Sequence, residues 1–301
     1  MESTRTGTDG RPVDVDTRQA PGAVGTSTTA QVHQDSGAAS QDVMLEVRDL
    51  TKAFSRGKRR VVALDGVSLT AQPGEFLTVI GPSGCGKSTL LHIIGGFEKA
   101  TTGTVDVGGR PVTSAGRDRG MVFQKATLFP WWTIERNVAW PLDVGGQSRA
   151  AARDRSRELL ELVGLSGFAD AYPGELSGGM QQRAALARTL AMEPQLLLMD
   201  EPFGALDAQT RELMQEELNR IWQASGTTVV FITHDIYEAV FLGDRVVVMS
   251  GRPGTILADV TIDLPRPRTA EVKGSSEFGE YHAHLWSLLR DEAAKAESVR
   301  R

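Results

Sequence analysis

The sequence has little cysteine, no long apolar run and little net charge. Cys85 is the only cysteine among 301 residues, so an intramolecular disulfide bond cannot form. No stretch approaches the ~18 consecutive apolar residues of a membrane-spanning helix, and the N-terminus lacks the basic and apolar segments of a signal peptide. A net charge of −5 gives no general attraction to nucleic acid. These absences predict a cytoplasmic protein with no nucleic acid partner.

Composition divides the chain into three segments. Residues 1–42 are rich in Gly, Ser, Thr, Asp and Gln, which predicts a disordered N-terminal tail because too little apolar surface can be buried. A regulatory contact is the alternative for this tail. Residues 43–270 carry the strand and helix signals of one folded domain. Residues 271–301 favour a helix with a charged end, and we interpret them as a C-terminal helical extension.

Short apolar runs alternate with helical patterns through most of the folded domain. The runs at 76–80, 196–199 and 229–232 are typical of buried strands, and the alternating segments 44–48 and 67–70 also indicate strands. This order predicts an α/β fold with a mostly parallel sheet and crossover helices. The segment from about 125 to 185 has few strand signals, and residues 149–163 have helical apolar spacing. We therefore expect a helical subdomain there.

A glycine-rich loop joins the apolar run 76–80 to a predicted helix. Residues 81–88 read G-x-x-x-x-G-K-S, the pattern of a phosphate-binding P-loop in its strand–loop–helix context. The glycines allow backbone N–H groups to surround phosphate oxygens, and the helix start adds partial positive charge. Lys87 can reach the β- and γ-phosphates, and the Ser88 hydroxyl can ligate Mg²⁺. The alternative is an ordinary glycine-rich turn. The predicted nucleotide-binding residues here are Gly81, Pro82, Ser83, Gly84, Cys85, Gly86, Lys87, Ser88 and Thr89.

Other predicted strands end in polar residues suited to catalysis. Asp200 and Glu201 close one apolar run, although adjacent carboxylates repel one another and resist burial. Beside a P-loop, Asp200 can hold the water shell of Mg²⁺ and Glu201 can polarise an attacking water. His234 can sense a γ-phosphate, and the Gln124 amide can contact the metal or that water. The alternatives are a solvated turn for the carboxylates, a structural histidine and a surface glutamine.

A second candidate phosphate site lies far from the P-loop in the sequence. Ser177 is a good N-cap for a helical run, and Gly178 and Gly179 let a backbone approach an anion at that helix start. The alternative is a plain helix cap. The distance in sequence favours a second phosphate-binding helix start, which a nucleotide in the P-loop cannot fill by itself.

These motifs, in this order, resemble those of the ATP-binding subunit of an ATP-binding cassette (ABC) transporter, from about residue 44 to 249. The Walker A loop corresponds to 81–89, the Q-loop to Gln124, the LSGGQ-type signature to 176–181, Walker B to 196–201, the D-loop to 205–207 and the switch histidine to His234. Met180 departs from the glutamine frequent in the signature, and Phe54 falls where an aromatic stacks on adenine. The resemblance implies a P-loop NTPase fold of the ABC ATPase type, with a RecA-like core, an antiparallel β subdomain and a helical subdomain.

The resemblance also implies an ATPase that works as a dimer. Two copies close head to tail around ATP, so that Ser177, Gly178 and Gly179 of one chain cover the γ-phosphate held by Lys87 of the other. The implied catalytic residues are Glu201 as base for the attacking water, His234, Lys87 and Gln124, and the implied Mg²⁺ ligands are Ser88, Gln124 and Asp200. Two transmembrane permease subunits are implied as partners, with an extracytoplasmic solute-binding protein acting indirectly. This arrangement places the chain at the cytoplasmic face of the cell membrane as a peripheral subunit.

Two further segments indicate a branch of this family. The segment 127–132, followed by Asn137 and Val138, is similar to importers of nitrate, sulfonates and taurine, as are residues 252–254 and 263–268. Related subunits serve bicarbonate or thiamine-precursor uptake. The alternative is a soluble ABC ATPase acting on DNA or ribosomes, which predicts a coiled-coil insertion or two cassettes in one chain. A P-loop kinase or switch GTPase would leave the Ser177 motif unexplained.

Aromatic side chains are concentrated just after Gln124. Phe129, Trp131, Trp132 and Trp140 lie within a dozen positions, and an exposed apolar patch of this kind marks a protein contact. The alternative is that they pack the core of the helical segment. We expect Trp131 and Trp132 to be exposed for docking a membrane partner, and Trp140 to be buried.

Overall fold

The computed structural model describes residues 43–57, 59–204 and 206–299, without the side chains of residues 56, 59 and 293–299. The tail predicted at residues 1–42 lies outside this part of the chain, as does residue 205 of the predicted D-loop.

The strands are β1 (Leu45–Arg56), β2 (Arg59–Ala71), β3 (Phe76–Ile80), β4 (Thr102–Val107), β5 (Arg110–Pro111), β6 (Arg119–Val122), β7 (Leu196–Asp200), β8 (Thr228–Ile232), β9 (Arg245–Met249) and β10 (Ile256–Thr261). The helices are α1 (Lys87–Ile94), α2 (Ile134–Val144), α3 (Arg149–Leu162), α4 (Gly178–Leu190), α5 (Ala208–Ser225), α6 (Ile236–Leu242) and α7 (Ser276–Val299). Short 3₁₀ helices span Ser166–Phe168, Pro173–Glu175 and Ala270–Gly274.

The strands form two sheets. The main sheet has the order β10-β9-β3-β8-β7-β6, in which β9, β3, β8, β7 and β6 are parallel and β10 is antiparallel to β9. The smaller sheet has the order β2-β1-β4-β5 and is antiparallel throughout. The predicted α/β architecture with an antiparallel subdomain is therefore confirmed. The domain boundaries near residues 42, 125, 185 and 270 stay predictions.

The main sheet is buried on both faces. Successive side chains of a strand point to opposite faces, and in β3 this sends Phe76 and Ile80 into one apolar cluster and Leu77 and Val79 into another. The first cluster contains buried side chains from α2 to α7, and the second joins α1 to the antiparallel sheet. Burial on both faces explains why β3, β7 and β8 read as continuous apolar runs.

A buried arginine fastens the segment between β10 and α7 to the main body. Arg268 is 3% exposed, and its guanidinium donates hydrogen bonds to five backbone carbonyls, those of Val240, Phe241, Gly243, Ile262 and Leu264. Burial lowers the pKa of Arg268 to about 10. Beyond this anchor, Phe278 and Leu285 of α7 are buried in the first cluster. Across the described residues, we find no helix with the length and apolarity needed to cross a membrane.

Candidate active site

The carboxyl ends of four neighbouring parallel strands meet at one edge of the main sheet. In the order β3, β8, β7, β6, these ends carry the P-loop, His234, the Asp200–Glu201 pair and Gln124. In open α/β sheets, ligands bind just outside the carboxyl ends of the strands. The fold therefore brings these four predicted motifs to one edge, although they are far apart in the sequence.

Glycines of the P-loop are required by close contacts. Gly86 has a φ of 110°, and a Cβ atom there would lie 2.8 Å from the Leu64 side chain and 2.9 Å from the Ala63 carbonyl oxygen. A Cβ atom at Gly81 would lie 2.9 Å from the Met249 carbonyl oxygen. Because any larger residue would collide with backbone, the loop can follow this tight path only with glycine at both positions.

Lys87, the first residue of α1, lies largely buried within the P-loop. Its Nζ donates hydrogen bonds to the carbonyl oxygens of Gly81 at 2.8 Å and Pro82 at 3.2 Å. The full charge of this ammonium group adds to the partial positive charge at the start of α1. This end of the helix is therefore suited to an anion such as a phosphate group.

Ser88 and Asp200 contact each other between α1 and the end of β7. The Ser88 hydroxyl donates a hydrogen bond of 3.0 Å to Asp200 Oδ1. Burial raises the pKa of the Asp200 carboxyl, and the hydrogen bond from Ser88 offsets part of that rise. A hydroxyl and a carboxylate are oxygen ligands of the kind that Mg²⁺ prefers. The pair therefore fits the predicted metal site.

Glu201 and His234 contact each other next to the Ser88–Asp200 pair. Glu201 Oε2 lies 3.0 Å from His234 Nδ1. The Glu201 backbone has a φ of 44°, which is uncommon for a residue other than glycine and is typical of functional sites. The Gln124 side chain reaches the same loop, because a Cβ atom built on Gly204 would lie 3.1 Å from its Nε2.

The P-loop faces a cleft of about 340 Å³. Phe54 of β1 lies at this cleft and is 43% exposed, with the Lys52 Nζ 4.8 Å from the centre of its ring. An exposed aromatic face beside a phosphate-binding loop is suited to stacking on a nucleotide base. The cleft is lined by Phe54, Val61, Ala63, Ser83, Gly84, Gly86, Lys87, Ser88, Thr89, Glu201 and Arg252.

Arg252 is a cleft residue that the sequence analysis did not identify as part of the site. Its Nη2 donates a hydrogen bond of 3.2 Å to the Gly84 carbonyl oxygen. The turn that carries it is held by hydrogen bonds from Gly254 N to Ala63 O, 2.9 Å, and from Asp65 N to Gly254 O, 3.0 Å. A signal was available, because Arg252 follows β9, the strand next to β3 in the sheet.

The signature motif lines a different cleft. Ser177 caps α4, and its hydroxyl accepts a hydrogen bond of 3.3 Å from the Met180 backbone N–H. Ser177 and Gly179 line a cleft of about 470 Å³ between α4 and α5, and none of the residues 177–179 lines the P-loop cleft of the same chain. Gly179 lies against α5, because a Cβ atom there would lie 2.8 Å from Thr210 Cγ2. Within one chain, these two predicted phosphate sites are therefore separate.

Four aromatic residues, two of them exposed and two partly buried, form one cluster, which we call the aromatic surface: Phe129, Trp131, Trp132 and Trp140. Trp131 is 66% exposed, as expected. Trp132, also expected to be exposed, is instead partly buried and packs with its ring centre 4.7 Å from that of Phe129. The prediction that Trp140 is buried is wrong, because it is 37% exposed. Its neighbours Val138 and Ala139 take the buried face of α2, and Trp140 packs with its ring centre 5.1 Å from that of Phe129.

A buried asparagine holds the backbone of the aromatic surface. Asn137 is fully buried, and its Oδ1 accepts a hydrogen bond of 2.7 Å from the Phe129 N–H. Its Nδ2 donates to the carbonyl oxygens of Phe129, Trp132 and Thr133 at 3.1, 3.2 and 3.0 Å. The loop before α2 is therefore fixed by one side chain, and the tryptophans stand on an ordered backbone.

Comparison with known proteins places these motifs in a family. Residues 64–204 match the family model described as "ABC transporter". The chain is 51% identical over 254 residues to an uncharacterized ABC transporter ATP-binding protein, MJ0412, of Methanocaldococcus jannaschii, covering 84% of this chain and 94% of that protein. It is 49% identical over 252 residues to the nitrate import ATP-binding protein NrtD of Synechocystis, covering 82% and 95%. It is 44% identical over 236 residues to the aliphatic sulfonates import ATP-binding protein SsuB of Bacillus cereus, covering 78% and 92%.

Solved structures give the same result. The dimeric post-hydrolysis state of the ATP-binding cassette MJ0796, bound to ADP and Pi, has a TM-score of 0.66 and 36% identity, covering 74% of this chain and all of that one. The cbiO1 protein from Clostridium perfringens has a TM-score of 0.68 and 26% identity, covering 79% and 93%. The predicted P-loop NTPase fold of the ABC ATPase type is therefore confirmed. The chain belongs to the ABC transporter family, as an ATP-hydrolysing subunit of an importer.

Proposed function

We propose that Glu201 is the general base of ATP hydrolysis and that His234 orients it. The observation that carries this proposal is the 3.0 Å contact between Glu201 Oε2 and His234 Nδ1 at the sheet edge that also carries the P-loop. A carboxylate held beside the phosphate site can accept a proton from the attacking water. The histidine fixes the direction of the carboxylate and contacts the γ-phosphate region.

Phosphates are held by the P-loop. Lys87 and the backbone N–H groups of residues 84–89 neutralise and orient the β- and γ-phosphates, while Phe54 stacks on the adenine. Ser88, Asp200 and Gln124 hold Mg²⁺, which supplies positive charge to the phosphate oxygens. The other loop residues in the proposed site are Gly81, Pro82 and Ser83, which contribute backbone; Cys85 likewise contributes only its backbone.

The complete site contains a second copy of the chain. Because Ser177, Gly178 and Gly179 do not line the P-loop cleft of their own chain, their backbone is available to a nucleotide held by another copy. A head-to-tail dimer places each signature over the γ-phosphate bound by the partner. Support comes from the similar cassette MJ0796, whose solved structure is dimeric.

The membrane partner is a pair of permease subunits that dock on the aromatic surface. Exposed tryptophans on an ordered backbone are suited to anchor a protein interface. The surface begins five residues after Gln124 in the sequence, so a shift of the permease can reach the metal site through a short backbone path. This docking makes the chain a peripheral subunit at the cytoplasmic face of the membrane, coupled indirectly to an extracytoplasmic solute-binding protein.

The transported solute is nitrate, a sulfonate, taurine or a related small solute. Support comes from relatives that are named for nitrate import and for aliphatic sulfonate import. The relatives do not favour the alternative, a soluble ABC ATPase that acts on DNA or ribosomes. Growth of a deletion strain on nitrate as sole nitrogen source, and on taurine or an alkanesulfonate as sole sulfur source, tests the solute. A strain that grows normally on every one of these sources would contradict the proposed solute class.

Replacing Glu201 tests the catalytic assignment. Glu201→Gln removes the proton acceptor but keeps the size of the side chain, so we expect ATP binding to persist and turnover to fall about 10²- to 10⁴-fold. Glu193→Gln is the matched control, because Glu193 is an exposed glutamate that also has a positive φ, 50°. Turnover of Glu201→Gln at the wild-type rate would remove Glu201 from the mechanism.

A further inference from the structure

A glutamine outside the motifs assigned above connects three parts of the active site. Gln182 lies on α4 and is 5% exposed. Its Nε2 donates hydrogen bonds to the carbonyl oxygens of Phe123 at 3.1 Å, Gln124 at 3.1 Å and Pro202 at 2.7 Å. One side chain of the signature helix therefore contacts the backbone at Gln124 and the residue that follows Glu201.

The orientation of the Gln182 amide is fixed by its surroundings. An NH₂ group has two hydrogens, so three carbonyl oxygens share them. The opposite orientation would place the amide oxygen against three other oxygens. The Oε1 atom is buried and has no hydrogen-bond partner among the described residues. Leaving a buried oxygen unpaired is unfavourable, and the three hydrogen bonds of the NH₂ group offset that cost.

We propose that Gln182 is a positioning residue that couples the signature of a chain to the catalytic groups of the same chain. Gln182 lies five positions after Ser177 on one rigid helix. When Ser177 engages the nucleotide of the partner chain, a movement of α4 must carry the carbonyls of Gln124 and Pro202 with it or break their hydrogen bonds. The closure of one ATP site therefore sets the alignment of Gln124 and Glu201 in the other. This inference rests on the proposed roles of those two residues and of the head-to-tail dimer.

Two substitutions at Gln182 test the coupling. Gln182→Met keeps the length of the side chain and removes the donor, and Gln182→Glu keeps the shape and offers acceptors in place of the donor. We expect both to lower kcat by about tenfold or more while the KM for ATP changes less than about threefold, because alignment is lost and nucleotide binding is not. Hydrogen exchange should become faster in peptides that cover residues 119–126 and 198–204, which is a readout independent of turnover.

The matched control is Asn219→Leu. Asn219 is also a buried amide on a helix, and its Nδ2 donates a 3.1 Å hydrogen bond to the Arg268 carbonyl oxygen, at a place that contacts neither Gln124 nor Pro202. We expect Asn219→Leu to lower stability and to leave kcat within about twofold of wild type. Equal losses of kcat in the Gln182 and Asn219 variants would mean that Gln182 acts only on stability.

Two other outcomes would overturn the coupling. One is unchanged hydrogen exchange at residues 119–126 and 198–204 in folded Gln182→Glu protein, and the other is faster exchange there with normal kcat. Failure of the proposed function can be distinguished from failure of the coupling. In that case Glu201→Gln would hydrolyse ATP at the wild-type rate, whatever the Gln182 variants do.

Discussion

Cys85 belongs to the core of the protein although it lies in the phosphate-binding loop. Its side chain is 1% exposed and packs in the cluster beneath the antiparallel sheet, and burial raises the pKa of its thiol. Both effects lower the concentration of accessible thiolate, the form that reacts with alkylating agents. The residue contributes its backbone to the loop, while its sulfur fills a gap in the core.

We therefore expect native protein to react with iodoacetamide at least about a hundredfold more slowly than the protein unfolded in urea. Mass spectrometry of the modified fraction over time measures both rates in one experiment. Rapid alkylation of native protein that retains ATP binding would contradict the buried placement of the thiol. ATP should slow the residual reaction, because a ligand that binds the native state suppresses opening.

Glu238 is a buried carboxyl that makes stability depend on pH. It is 4% exposed, burial raises its pKa above the ordinary value of 4.5, and Asp235 adds to the rise, while hydrogen bonds from Thr233 and Gln215 and the charge of Arg211 oppose it. Between pH 4.5 and the raised pKa, the native state binds a proton that the unfolded state has lost. The free energy of unfolding therefore falls as the pH rises through this window.

Glu238→Gln should remove this dependence, because the amide does not titrate. Urea unfolding from pH 4.5 to about 8 should show a flatter profile for the variant than for wild type. Glu161→Gln, a change at an exposed glutamate of α3, serves as the control and should keep the wild-type profile. Parallel profiles for wild type and Glu238→Gln would contradict the raised pKa.

At the residue scale, the sequence alone was sufficient to locate the polar side chains that directly follow a buried strand. Gln124, Asp200 and His234 each come at or just after the end of an apolar run, and parallel strands bring such ends together. Arg252 follows β9 and could have been found by the same reasoning, but Gln182 could not. The partners of Gln182 are backbone carbonyls far away in the sequence, and any residue type supplies a carbonyl, so no pattern marks the contact.

At the scale of elements, the aromatic surface is the proposed docking site for the permease. Double replacement Trp131→Ala, Trp132→Ala should leave a folded protein that binds ATP and retains basal ATPase activity, since Trp131 is 66% exposed and lies outside the P-loop cleft. Loss of an interface anchor costs about 2 kcal/mol or more, so permease association should weaken at least about thirtyfold.

The control is Trp286→Ala, because Trp286 of α7 is a tryptophan with comparable exposure, 56%, outside the aromatic surface. Co-purification with the permease and solute uptake are the measurements. An unfolded double variant, or one that still supports wild-type uptake, would contradict the docking role.

Elements of the main sheet were predictable from the sequence, and those of the antiparallel sheet only in part. The strands β3, β7 and β8 are continuous apolar runs because both faces are buried, so their limits are visible. The segments 44–48 and 67–70 predict short strands, yet β1 and β2 have 12 and 13 residues. Their outer ends include Ser55 and Arg60, exposed polar residues that pair with each other and continue the ladder where no apolar alternation is required.

At the scale of the whole molecule, the proposed dimer divides each ATP site between two chains, so that one chain carries two half-sites that lie apart. Lys87, Asp200, Glu201 and His234 lie at one sheet edge, and Ser177 caps a helix beside a separate cleft. In the proposed head-to-tail dimer, each half would meet its complement on the partner chain, giving two ATP sites. The hydrogen bonds of Gln182 would then connect the two sites through the body of each chain.

The most direct test of an ATP site shared between two chains is the ATPase rate of a mixture of two inactive variants. Lys87→Ala disables the P-loop half and Ser177→Arg blocks the signature half, so each pure protein should lack ATPase activity. A mixed dimer has one site with both halves defective and one site with both halves intact. Random pairing at equal concentrations would restore about one quarter of the wild-type rate if the two sites acted independently. Because the intact site belongs to the chain whose own signature is blocked, the proposed Gln182 coupling predicts a restored rate below one quarter but clearly above that of either pure variant. Restoration on mixing supports a site shared between two chains, and a mixture as inactive as its components would contradict it.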